Sequence, residues 1–123
     1  MIVLDTNALM MPVECSVRVF EELDRLGFDE ADCLVPRSVL AELEKLSAGG
    51  GEEGTAASVG RDLAGRARVL DHEESYADDA LVELADRFDY VVTNDLPLRD
   101  RLLEAGVSVI HIRGRNKLTI TQP

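Results

Sequence analysis

Four acidic residues stand where a fold could bring them together: Asp5, Glu42, Asp78 and Asp95. Asp5 and Asp95 each close a short apolar run, Ile2-Val3-Leu4 in one case and Tyr90-Val91-Val92 followed by Thr93-Asn94 in the other. Such runs read as buried strands. Glu42 and Asp78 belong to helical patterns. Glu42 lies between Val39 and Leu46 at helical spacing, so it flanks the apolar stripe, while Glu44 points farther from it. Asp78 precedes Leu81, Val82 and Ala85 at spacings that put it on the inward face, with Asp79 nearly opposite as a first-turn residue favoured by the helix dipole. Gathering carboxylates in one crevice costs far more than exposing them unless a cation or protonation compensates. A divalent ion is the natural compensation. Solvated surface competes as the reading of any one of them, because the chain carries 24 Asp and Glu; their joint arrangement is what points to a site.

The elements that must position these residues alternate. Cys33-Leu34-Val35, ending at Pro36, and Val107-Ser108-Val109-Ile110, introduced by Gly106, read as further strands, and Ala67-Arg68-Val69-Leu70 as a weaker one. Val17, Phe20, Leu23 and Leu26 fall at helical spacing before Gly27; Val39, Leu40, Leu43 and Leu46 repeat the pattern with Ser38 as N-cap. Ser75 and Asp78 resemble a capping box, and Pro97 to Ala105 forms a helix closed by Gly106. The expected fold is α/β, a three-layer α/β/α sandwich around a mainly parallel sheet of about five strands, with residues 1–123 as one domain. In such a sheet ligands gather outside the carboxyl ends of the strands, where strand order reverses. Asp5 and Asp95 would meet there if their strands are neighbours. Gly49-Gly50-Gly51-Glu52-Glu53-Gly54 lacks the Lys-Ser/Thr ending of a phosphate-cradling loop and reads as a mobile loop between two helices.

Composition narrows the classes. No apolar run is long enough to span a bilayer and no signal peptide is visible, so a soluble cytoplasmic protein is expected. Cys15 and Cys33 read as small buried apolar residues; they and the isolated His72 and His111 lack metal-binding spacing. With 13 Lys and Arg against 24 acids the net charge is −11, which by itself argues against nucleic acid. Adaptation to high salt reconciles such a surface with phosphate binding, because extra carboxylates keep the protein soluble while salt screens their repulsion.

Asp5-Thr6-Asn7, Val39-Leu40-Ala41-Glu42-Leu43, Ala77-Asp78-Asp79-Ala80-Leu81 and Thr93-Asn94-Asp95, taken in this order over nearly the whole chain, resemble the acidic motifs of PIN-domain nucleases. Ala77-Asp78-Asp79 and the ending Ile112-Arg113-Gly114-Arg115 are more similar to the archaeal and eukaryotic rRNA-processing group than to VapC-type toxins. The chain departs from many relatives at Pro97, where they carry another acidic residue. The resemblance implies an endoribonuclease that hydrolyses RNA with metal-activated water, leaving a 5′-phosphate and a 3′-hydroxyl. Mg²⁺ or Mn²⁺ would be held chiefly by Asp5 and Asp95 and completed by Glu42 and Asp78, directly or through water. Asn7, Thr93, Asn94 and Asp79 would support the ligands, and Thr6 reads equally as a strand-end hydrogen-bonding residue. Arg99, Arg101, Arg113, Arg115 and Lys117 are the available phosphate contacts, or a solvated helix face and tail.

Partners in view are RNA, precursor rRNA included, and a second copy of the chain in a homodimer. A toxin would add an antitoxin. A non-catalytic PIN-like binding module is the other alternative. A phosphorylated-Asp domain fits less well: Asn7 stands where a haloacid-dehalogenase-like fold shows its second Asp, and the Lys near the last strand of a receiver is missing.

Overall fold

The computed structural model describes residues 1–71 and 87–123. In chain order the described elements are β1 (Ile2–Leu4), α1 (Thr6–Glu14), α2 (Val19–Arg25), a 3-10 turn (Glu30–Asp32), β2 (Cys33–Pro36), α3 (Arg37–Ser47), α4 (Gly51–Ala64), β3 (Arg68–Leu70), β4 (Tyr90–Val92), α5 (Leu96–Glu104), β5 (Ser108–Arg113) and β6 (Lys117–Thr121). The Ser75–Asp78 capping box, the helix expected after it and His72 lie outside the described residues.

The strands form one sheet in the order β3-β2-β1-β4-β5-β6. Neighbours from β3 to β5 run parallel and β6 returns antiparallel to β5. From β1 the chain steps outward through β2 to β3, then crosses to β4 on the other side. Strand order therefore reverses between β1 and β4, which is where an open α/β sheet leaves a crevice at its carboxyl edge.

Alternation along the short strands sorts the core into two layers, as a sheet covered on both faces requires. Ile2 and Leu4 join the cluster of α1, α2 and α3 residues, with Leu9, Phe20 and Leu43 among them. Val3 and Val91 face the other way and pack with Leu98 and Leu102 of α5. Each fully buried Leu, Ile or Val contributes roughly 1.5–3 kcal/mol before the entropy of ordering is charged against it. The helices lie close: a Cβ on Gly60 of α4 would come within 2.7 Å of the Leu9 carbonyl oxygen of α1, so only glycine admits this approach.

The mainly parallel sheet of about five strands holds, with six observed, and the strand not read from the sequence is Lys117–Thr121, which pairs with β5. Several expectations are corrected. The glycine-rich segment is not wholly loop: Gly51 through Gly54 begin α4, and a Cβ on Gly54 would overlap the Gly49 carbonyl. Pro36, not Ser38, occupies the N-cap of α3, since β2 runs straight into the helix and Ser38 is already helical. Cys15 is exposed, because it caps the C-terminus of α1, where Ser16 turns the chain at φ 55°. Cys33 is buried as expected, and burial, with Glu30, Asp32 and Asp29 nearby, pushes its thiol up to about 11.

β6 is an edge strand, and unpaired backbone groups on an edge invite further pairing. Glu22 and Arg25, one turn apart on α2, cover it at one point. Glu22 Oε1 accepts the Leu118 N–H at 2.9 Å, Arg25 donates to the Leu118 carbonyl at 2.8 Å, and the two side chains pair at 3.0 Å.

Candidate active site

β1 and β4 pair Ile2 with Tyr90, Val3 with Val91 and Leu4 with Val92, so the residues that follow leave the sheet side by side. The Asp5 N–H still reaches the Val92 carbonyl at 3.4 Å. Both acidic residues then serve as helix N-caps. Asp5 Oδ1 accepts the Ala8 N–H at 2.7 Å at the start of α1, and Asp95 Oδ1 accepts the Leu98 N–H at 3.1 Å at the start of α5. An acidic cap satisfies a helix donor and sets its negative charge at the positive end of the helix dipole, so each carboxylate is oriented by its own helix. Asp5 is buried and Asp95 half-buried.

Polar side chains lace these strand ends together. Asn7 Oδ1 accepts the Asn94 N–H at 2.8 Å, which joins the Asp5 segment directly to the Asp95 segment. Asn94 Oδ1 in turn accepts the Ile112 N–H of β5 at 3.4 Å. The buried Thr93 takes the Asp95 N–H on its Oγ1 at 3.1 Å, and its own N–H donates to the Ile110 carbonyl at 3.0 Å. Three adjacent strand ends are thus fixed relative to one another by side chains within two residues of an acidic residue.

The remaining candidates divide. Glu42 is exposed on α3, which follows the neighbouring strand β2, and among the described residues no group of three His, Cys, Asp or Glu side chains closes around a common point. Asp78 and Asp79 lie outside the described residues. Arg99 and Arg101 ride on α5; Arg99 is half-buried, with its Nε shielded from solvent and lacking a hydrogen-bond partner among the described residues. Arg101 sits in the last turn of α5, away from the capped end. Arg113, Arg115 and Lys117 are exposed where β5 turns into β6. Sequence reasoning missed that turn as a turn. Gly114, Asn116 and the alternating Leu118-Thr119-Ile120 were its signals, and Gly114 does take a left-handed φ of 70°.

In kind, the donors at the strand ends suit a hard divalent cation. The carboxylates of Asp5 and Asp95 are oxygen ligands, and the Thr6 Oγ1, next in sequence to Asp5, is buried without a hydrogen-bond partner among the described residues.

A family model described as a PIN-like domain matches residues 2–115 of this geometry's sequence. The chain belongs to the PIN-like domain family. Among solved structures, this PIN-like chain is similar to that of the PIN domain endonuclease Utp24, with a TM-score of 0.78 and 25% sequence identity over 99% of this chain and 91% of the other. Shorter stretches are similar to two proteins described as UPF0178. The one from Caulobacter sp. (strain K31) is 45% identical over 47 residues, 38% of this chain and 31% of that protein. The one from Stutzerimonas stutzeri (strain A1501) is 51% identical over 39 residues, 32% of this chain and 26% of that protein. The match therefore spans less than a third of the length of either curated relative. The mainly parallel sheet between helical layers agrees with the sandwich expected of a PIN domain.

Proposed function

We propose that this PIN-like chain is a metal-dependent endoribonuclease whose reaction takes place at the carboxyl edge of β1 and β4. The observation that carries the reading is the placement of Asp5 and Asp95: two acidic residues from distant parts of the chain leave adjacent strands, each aimed by its own helix and tied together through Asn7 and Asn94. Membership of the family and the likeness to a PIN domain endonuclease support nuclease chemistry at this edge.

In the proposed reaction a water oxygen attacks phosphorus, the bond to the 3′ oxygen breaks, and the products are a 5′-phosphate and a 3′-hydroxyl. Asp5 and Asp95 would hold Mg²⁺ or Mn²⁺, with Asp78 and Glu42 completing the set. When bound, the ion supplies an acidified water and neutralises charge on the phosphate. Asn7, Thr93 and Asn94 hold the two carboxylate-bearing segments at a fixed separation, which removes reorganisation from the catalytic step. Asp79 is assigned a supporting place beside Asp78. RNA is the proposed substrate, precursor rRNA within that class, and the basic residues Arg99, Arg101, Arg113, Arg115 and Lys117 are the proposed source of phosphate contacts.

Metal binding is tested by melting temperature. Mn²⁺ or Mg²⁺ should raise the Tm of the wild type, and most of that gain should vanish in Asp5→Asn and in Asp95→Asn, since Asn keeps the helix cap but loses the charge. Equal gains in wild type and both variants would place the ion elsewhere on the acidic surface.

A further inference from the structure

The last acidic residue of the chain is Glu104, and the segment beyond it carries Arg113, Arg115 and Lys117 with no counter-charge. In a chain of net charge −11 this is a local reversal of sign. Elsewhere the described arginines are often neutralised in place: Arg25 pairs with Glu22, Arg37 with Asp71 and Arg66 with Glu30. None of the three cations at the β5–β6 turn forms an ion pair among the described residues, and all are exposed; Lys117 stands near enough to Glu22 of α2 to help hold its carboxyl low without pairing with it.

Topology puts this turn beside the candidate site. β5 runs parallel to β4 and continues three residues past Ile110, the last residue paired with β4, so its end projects from the same carboxyl edge as Asp95. The contact is direct, because the Ile112 N–H donates to the Asn94 side chain, and Arg113 is the next residue. Arg113 and Lys117 stand opposite each other across the hairpin. Like charges in that position destabilise a strand pair, and an anion seated between them turns the repulsion into attraction.

We propose that the β5–β6 turn is a phosphate-gripping arm that seats an RNA strand across the carboxyl edge, next to Asp5 and Asp95. This rests on the nuclease reading and adds to it the place of contact. Arg113 and Lys117 share one phosphate, and Arg115 at the tip takes another.

The test uses the Asp5→Asn protein, which should bind without cutting, and a fluorescent single-stranded RNA of mixed sequence read by anisotropy. The triple variant R113Q/R115Q/K117Q in that background should lose about tenfold or more in affinity at low salt, and the slope of log K against log salt should flatten by about 2, three contacts at about 0.7 each for a single strand. R113K/R115K should keep most of the binding, and the Tm of the triple variant should stay within a few degrees of its parent, which separates charge from folding. An unchanged affinity and slope in the triple variant would overturn the arm while leaving the nuclease reading standing. If the parent binds no RNA at all, the arm and the nuclease reading fail together.

Discussion

Asp5 and Asp95 each carry two duties that pull on the same carboxylate, capping a helix and bearing the charge of the candidate site. The cap is what makes the position reproducible, because a backbone N–H three residues on leaves the side chain little rotational freedom. Asn7 has the same kind of leverage without a charge. Removing its carbonyl in Asn7→Ala leaves the Asn94 N–H without its acceptor at 2.8 Å and loosens the Asp95 segment from the Asp5 segment. The expected cost is about 0.5–1.5 kcal/mol in stability, since both residues are exposed and water replaces the lost acceptor, with a weaker rise of Tm on adding Mn²⁺ than the wild type shows. Asn7→Asp keeps an acceptor at that point but adds a carboxylate between Asp5 and Asp95, so it should regain the stability with Mn²⁺ present and not without it. A denaturant melt and a Mn²⁺ titration of the three proteins decide it; wild-type metal response in Asn7→Ala would reduce Asn7 to a surface residue.

At the scale of elements, the edge strand β6 depends on Glu22. The Arg25 side chain hydrogen-bonded to Glu22, then the Leu118 N–H, hold its carboxyl below the usual carboxylate range. A carboxyl depressed on folding contributes stability that is present above its unfolded pKa and is lost as pH falls through the lower folded value. Acid should therefore release β6 and the turn beside the site, and Glu22→Gln should flatten the decline of Tm over that acid range. A wild-type acid profile in Glu22→Gln would assign the loss to other carboxylates. The α1–α4 contact gives a second check: Gly60→Ala sets a methyl against the Leu9 carbonyl and should cost about 1–3 kcal/mol, read as a lower denaturant midpoint at unchanged slope. The strands before Asp5 and Asp95 were legible because both of their faces are buried, so each reads as an unbroken apolar run. α1 was not, because Ala8 through Met11 are all buried and Pro12 interrupts the pattern, which leaves no amphipathic period to read. β6 hid behind its polar alternation, and only tertiary pairing with β5 reveals it. The adjacency of β1 and β4 could be required by the motifs but not read from them, since strand order is a long-range property.

For the molecule as a whole, the excess of acidic residues sets the salt conditions under which it folds. Self-repulsion at net charge −11 is screened by salt, so KCl raised from dilute buffer toward molar concentration should hold or raise the Tm. A steady fall in Tm over that range would overturn the reading of the surface as an adaptation to high salt. Among the described residues no helix is long and apolar enough to cross a membrane. The central claim is that the edge shared by β1 and β4 hydrolyses RNA with a divalent ion, and cleavage of a mixed-sequence single-stranded RNA tests it most directly. The wild type should cut in Mn²⁺ or Mg²⁺, leave 5′-phosphate ends and stop on addition of EDTA, while folded Asp5→Asn and Asp95→Asn should be inactive. Cleavage that persists in EDTA, or at wild-type rate in both variants, would contradict the account.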